Sequence, residues 1–185
     1  MSTAETATRP RGPWDISSEV RGRLFRYLFQ RVGIEQVRAE FAALGDNPSE
    51  TALDLAGATL ATGFMTEPMP LRVAPAEEWL GYFRRTGYVA DCLRLPARRP
   101  KKSLLLYRGA RLGAERGLSW TPVRARAEEF VYARREQGLD AALWSVRARP
   151  EWMLARLAHE RGVEIVLDVP DVVTIRRLKI RGDAS

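Results

Sequence analysis

The chain contains one cysteine and one histidine among its 185 residues. Cys92 therefore cannot form an internal disulfide, and His159 alone provides no spacing of zinc ligands. No apolar run reaches the roughly 18 residues that span a bilayer, and the polar N-terminus lacks the apolar stretch of a secretory signal. We therefore expect a cytoplasmic protein without a membrane segment or a metal site, in which Cys92 is a buried or incidental thiol.

Acidic residues are also in deficit: 23 Asp and Glu stand against 30 Lys and Arg, for a net charge of +7. The basic residues are mostly arginines and are spread along the chain rather than packed into one block. Such an excess favours anionic partners, namely dinucleotides, nucleic acid or acidic protein surfaces, without choosing among them. Many of the arginines are expected to lie on solvated helix faces.

The first 93 residues are predicted to be mainly helical. Residues 1–15 are polar and indicate a flexible tail, and residues 16–93 form a helical N-terminal region. Apolar residues at three- and four-residue spacing predict four helices. These helices run from Ser17 to Gly33, from Glu35 to Leu44, onward from Asn47-Pro48-Ser49-Glu50, and from Pro75 to Gly87. In the third helix the sequence predicts Asn47 as the cap and Pro48 as the first helical residue.

Residues 94–102 contain two prolines and five basic residues, and residues 103–180 have a different, α+β character. We interpret 94–102 as an extended, solvated linker rather than a patch that tracks phosphates. In the second segment, helices are predicted over 122–137, with Pro122 at the first position, and over 150–159. Short apolar or alternating runs predict strands at 103–107, 118–121, 142–148, 163–169 and 172–180.

Three short motifs of the second segment indicate chemistry. Tyr107-Arg108-Gly109 ends the first predicted strand, Ser119-Trp120-Thr121 forms the second, and Glu164 opens a later strand behind a glycine turn. Each motif alone is common in proteins. Arg108 is also compatible with a structural ion pair, Ser119 and Thr121 with ordinary strand positions, and Glu164 with a solvated strand edge.

In their order and setting, the three motifs resemble the arginine–serine–glutamate class of the ADP-ribosyltransferase superfamily, and bacterial and phage-borne members in particular. The resemblance covers roughly residues 79–175. It implies that residues 103–180 form an α+β catalytic core of two small packed β-sheets with flanking helices. It also implies that NAD⁺ is the substrate, that no metal takes part, and that ADP-ribose passes to a macromolecular acceptor, either protein or nucleic acid.

The resemblance implies a role for each member of the catalytic group. Arg108 would hold phosphate or ribose oxygens, because a planar guanidinium forks onto such oxygens better than an ammonium does. Glu164 would stabilise the positive charge that develops on the ribose as the nicotinamide leaves. Ser119 would orient Glu164.

The remaining candidates are binding residues. The resemblance implies that the backbone of Gly109 holds the nicotinamide amide, where the lack of a side chain permits close approach. Thr121 would brace its strand. Tyr107 and Trp120 offer aromatic faces for stacking on NAD⁺, although aromatic residues in strands are more often part of the core.

One departure from the family pattern concerns the acceptor. Members that modify arginine carry a second glutamate two residues before the catalytic one, and Gly162 occupies that place here, with Glu160 as the nearest acid upstream. Modification of arginine is therefore not expected. Two alternative functions remain: an NAD⁺ glycohydrolase of the same fold, and a non-catalytic basic module that binds nucleic acid.

Overall fold

The computed structural model describes residues 32–67, 69–94, 98–159 and 162–180. Within these ranges the chain folds as α+β, with two small β-sheets and flanking helices, as the sequence predicts. The predicted tail of residues 1–15 and nearly all of the helix predicted from Ser17 lie outside the described residues.

Five α-helices are present in the described ranges. They are α1 (Ile34–Ala42), α2 (Glu50–Thr66), α3 (Pro70–Val73), α4 (Ala76–Thr86) and α5 (Arg124–Glu136). Helix α4 ends at Gly87, whose φ of 75° is readily adopted only by glycine, so the predicted stop is confirmed. None of these described helices is both long and apolar enough to cross a membrane.

The start of α2 differs from the prediction. Ser49, rather than Asn47, is the N-cap, and its hydroxyl accepts a hydrogen bond from the backbone N–H of Ala52 at 3.2 Å. Pro48 consequently lies before the helix instead of at its first position. Both Asn47 and Ser49 are good cap residues, and the hydrogen bond to Ala52 decides between them.

The start and the apolar face of α5 also differ. The helix begins at Arg124 with Val123 as its cap, so Pro122 precedes it. The spacing of Ala127, Phe130 and Val131 predicts one apolar face. Ala127 and Val131 are buried, whereas Phe130 is 45% exposed. The apolar stripe of α5 is therefore narrower than its sequence suggests.

The eight strands of the described residues form two sheets. Sheet A has the order β2-β1-β6-β7-β4, and sheet B has the order β3-β5-β8. The strands are β1 (Val89–Ala90), β2 (Leu93–Arg94), β3 (Leu104–Arg111), β4 (Ser119–Trp120), β5 (Ala141–Ala148), β6 (Met153–His159), β7 (Gly162–Leu167) and β8 (Arg176–Leu178). The strand predicted over 172–180 is thus much shorter than expected.

The helix predicted over residues 150–159 was wrong. Pro150–Trp152 forms a single 3₁₀ turn, and Met153–His159 is strand β6, which lies between β1 and β7 in sheet A. Both faces of β6 are covered, so Met153, Leu154 and Ala155 are buried in succession. A short continuous apolar run of this kind cannot be distinguished from a buried helix by periodicity.

Three clusters of buried residues hold the layers together. One lies between the helices α1–α4 and sheet A and includes Leu60, Trp79, Phe83 and Val166. A second lies between the sheets and includes Leu106, Trp120, Val146 and Ile165. A third lies between α5 and sheet B and includes Ala127, Val131 and Leu143. The N-terminal helices therefore share a core with strands of the second segment.

Arg94, the first residue of the predicted solvated linker 94–102, is instead part of the folded core region. It ends strand β2, and its guanidinium lies 2.7 Å from a carboxylate oxygen of Glu50 and 3.3 Å from one of Asp54. Its side chain is only 13% exposed. Arg94 thus belongs to the contact between sheet A and α2.

Candidate active site

The three sequence motifs meet where the two sheets join. Tyr107 of β3 and Thr121, just after β4, exchange backbone hydrogen bonds of 2.8 and 2.9 Å, which link sheet B to sheet A. On the other side of β4, Ser119 pairs with Val166 of β7. Because side chains alternate along a strand, Ser119 and Glu164 lie diagonally on the same face of sheet A.

The guanidinium of Arg108 spans this junction. Its Nε donates to the carbonyl of Ala114 at 3.2 Å, and one terminal nitrogen donates to the carbonyl of Ser119 at 2.7 Å. Burial lowers the pKa of Arg108 to about 10, while the nearby Glu164 carboxylate acts in the opposite direction. Arg108 is thus a charged group at neutral pH that is held in place and incompletely solvated.

Gly117 is a further residue of the site, for which the sequence motif had indicated no role. A β-carbon at this position would lie closer than 3.0 Å to three atoms of the Arg108 guanidinium. The carbonyl of Gly117 accepts a hydrogen bond of 2.8 Å from the indole N–H of Trp120. Gly117 therefore leaves room for the Arg108 side chain, and Trp120 fixes the loop that carries this glycine. The sequence signal for this role was the position of Gly117 directly before the predicted strand 118–121.

We expect Gly117→Ala to reduce turnover of the site's substrate by about 10- to 100-fold, because a small misplacement of a positioning group is costly. The added methyl group would displace the guanidinium of Arg108. The measurement is the steady-state rate together with the melting temperature. Gly81→Ala is the matched control, since a β-carbon there meets nothing within 4 Å. Equal rates in both variants would contradict the role of Gly117.

Gly109 has a packing reason to be glycine. A β-carbon there would lie closer than 3.0 Å to the backbone carbonyl oxygen of Ala127 and 3.1 Å from side-chain atoms of Phe130 and Val131. The missing side chain thus permits the close approach of α5 to sheet B. The prediction that the Gly109 backbone holds a nicotinamide amide stays a prediction, and the glycine itself no longer argues for it.

The two aromatic candidates contribute mainly to packing. Trp120 is 2% exposed in the core between the sheets, which contradicts the prediction that its face stacks on a dinucleotide. Tyr107 is half-buried and packs against the cluster under α5. The hydroxyl of Thr121 accepts a hydrogen bond from the N–H of Val123 at 3.2 Å. That Thr121 braces its strand stays a prediction.

Glu164 is half-buried and follows closely on the hairpin between β6 and β7. His159 pairs with Gly162, and residues 160 and 161 lie outside the described residues. Gly162 has a φ of 121°, a conformation that other L-residues rarely adopt. This backbone conformation favours glycine over a second acid at position 162, and a glutamate introduced there would be strained.

In comparisons with known proteins, no family model, no curated protein and no solved structure matches the chain. Chemically, the junction places the guanidinium of Arg108 near the carboxylate of Glu164. The first group suits phosphate or ribose oxygens. The second suits a centre on which positive charge develops.

Proposed function

We propose that this protein cleaves the nicotinamide–ribose bond of NAD⁺ and transfers ADP-ribose to a macromolecular acceptor. The observation that carries the proposal is the convergence of Arg108, Ser119 and Glu164, three residues from three different strands, at the junction of the two sheets. The resemblance of their motifs to those of the arginine–serine–glutamate ADP-ribosyltransferases supports it.

Arg108 fits the binding of the NAD⁺ pyrophosphate. Two of the five N–H groups that a guanidinium carries are used by the carbonyls of Ala114 and Ser119. Burial leaves the charge of Arg108 less stabilised than it would be in water, which lowers the pKa of Arg108 to about 10. A phosphate oxygen would supply the missing stabilisation, and the two carbonyls hold the fork in place to receive it.

Glu164 fits the chemical step. The bond between nicotinamide and C1′ of the ribose breaks, and its electron pair leaves with the nicotinamide, which becomes neutral. The nucleophile of the acceptor forms the new bond to C1′ and loses a proton. Between these events C1′ carries positive charge, which the Glu164 carboxylate would stabilise by its own negative charge.

The decisive assay follows the fate of the label when the protein is incubated with NAD⁺ labelled in its adenine part and a cell lysate. Label in protein or nucleic acid is the expected result. Label that ends only as free ADP-ribose would identify a glycohydrolase instead. If NAD⁺ remains intact under these conditions, the proposed chemistry is wrong.

We expect Arg108→Lys to weaken NAD⁺ binding about tenfold, because lysine keeps the charge but loses the planar fork. Isothermal titration gives the affinity, and a thermal melt shows whether the loop held by Arg108 still folds. Arg126→Lys is the control, since Arg126 lies on the exposed side of α5 with Glu129 as its partner. Should Arg108→Lys bind NAD⁺ as tightly as the parent, Arg108 only holds the loop.

A further inference from the structure

The charge of this protein is divided unequally between its segments. Residues 32–93, which carry α1–α4, contain nine acidic and four basic residues. Residues 94–185, which carry α5 and sheet B, contain eleven acidic and twenty basic residues. The basic excess of the described fold therefore belongs to its second segment, and the helical layer over sheet A is net acidic.

The excess is greatest on sheet B. Its three strands contain five arginines and no acidic residue. We call four exposed residues of β5 and β8 and their flank the basic edge: Arg147, Arg176, Arg177 and Lys179. In the part of the chain that the structure describes, none of the four forms an ion pair with a carboxylate.

By contrast, eight of the described arginines outside sheet B lie within 4.0 Å of an Asp or Glu oxygen: Arg38, Arg84, Arg94, Arg116, Arg124, Arg126, Arg149 and Arg156. Like charges left together without counter-charges repel one another and cost stability. Such a cluster indicates a partner that supplies the negative charge.

The basic edge adjoins the candidate active site. Arg177 of β8 pairs with Trp144 of β5, and Trp144 pairs with Arg108 of β3, so the three residues form one row across sheet B. Adjacent strands lie 4.7–4.9 Å apart, so the backbone at Arg177 is about 10 Å from the backbone at Arg108. Because side chains alternate along a strand, Arg177 lies on the face of sheet B that carries Arg108, whereas Arg147 and Arg176 lie on the opposite face. A molecule that binds the edge strand β8 and contacts Arg177 would therefore lie beside Arg108.

We propose that the basic edge binds the sugar–phosphate backbone of a nucleic acid. If the proposed function holds, on which this second step rests, the bound nucleic acid is the acceptor of ADP-ribose. A nucleic acid fits better than an acidic protein, because a stable protein contact also needs an apolar centre. Among the described residues of sheet B, Leu105 is the one large apolar side chain with substantial exposure. Binding driven by charge alone is typical of contacts with phosphates.

The test measures fluorescence anisotropy of labelled 20-nucleotide DNA and RNA strands with the full chain, at salt concentrations from about 50 to 200 mM. We compare Arg176→Gln/Arg177→Gln with Arg72→Gln/Arg98→Gln. The control pair removes the same charge from two exposed arginines outside sheet B. Melting temperatures of both double variants verify folding.

The expected result is binding that weakens steeply with salt in the parent and in the control pair. In Arg176→Gln/Arg177→Gln the affinity should fall about tenfold or more, and the slope against log salt should decrease by about 1.4. Equal losses in both double variants, no binding by the parent, or equally strong competition by polyglutamate would overturn the docking proposal.

The acceptor step is tested separately with labelled NAD⁺ and the same oligonucleotides. Label on the oligonucleotide, lost in Arg176→Gln/Arg177→Gln, supports it. NAD⁺ cleavage that never labels the oligonucleotide rejects nucleic acid as the acceptor. Oligonucleotide binding without any NAD⁺ cleavage leaves the basic edge as a docking surface and rejects the proposed function, so the two failures are distinguishable.

Discussion

Glu164→Gln is expected to reduce the rate of nicotinamide release by about 100- to 1000-fold, while NAD⁺ binding stays close to that of the parent. The substitution keeps the size and the hydrogen-bonding oxygen of the side chain and removes only its negative charge. That charge acts mainly when the ribose becomes cationic, so its loss should appear in the catalytic rate rather than in the affinity. Single-turnover nicotinamide release and isothermal titration measure the two quantities.

The control for this variant is Glu136→Gln, at an exposed position near the end of α5. It changes the net charge by the same amount away from the sheet junction. Because the Glu164 carboxylate favours the charged form of Arg108, a melting curve of Glu164→Gln is needed to show that the junction still folds. A folded Glu164→Gln variant with the parent's rate would remove Glu164 from the mechanism.

Gly109→Ala should have the largest effect on stability, a loss of about 1–3 kcal/mol in the free energy of unfolding. The obstructing atom is the backbone carbonyl oxygen of Ala127, which cannot rotate away as the end of a side chain can. Accommodation therefore requires α5 to move away from sheet B, which would loosen the contacts of Val131. Urea denaturation of the parent and the variant measures the difference.

Gly81→Ala again provides the control, and there we expect unchanged or slightly increased stability, because alanine favours a helix by up to about 1 kcal/mol over glycine. If Gly109→Ala is as stable as the parent, α5 adapts more easily than its packing indicates. Together with Gly117→Ala, the pair separates two reasons for glycine. One variant should lose mainly stability, and the other mainly activity.

Local sequence patterns predicted the elements that have one apolar face. Helices α1 and α4 have such a face, and each is followed by a glycine with positive φ, Gly45 and Gly87 respectively. Strand β6 could not be predicted in this way, because it is buried on both sides and its apolar residues follow one another without a period. The pairing of β6 with β1 and β7 is a tertiary property.

The candidate site was likewise predictable from the sequence only in part. The order of the motifs predicted which residues to consider, and Arg108 and Ser119 are in contact as a consequence of the fold. The motifs did not distinguish a glycine that admits a helix, Gly109, from one that admits a guanidinium, Gly117. Nor did they show that Trp120 is buried. An aromatic residue that stacks on a ligand and one that packs in the core can have the same local sequence in a strand.

The sequence by itself determined the α+β class, most helices and strands, the excess of basic residues and the three motifs, since these depend on composition and short-range periodicity. The tertiary structure alone decided where the sheets join, which side chains meet at that junction, and which of the described arginines pair with a carboxylate. These features depend on strand pairing and layer packing between residues distant in the chain, and such contacts leave no local pattern to read.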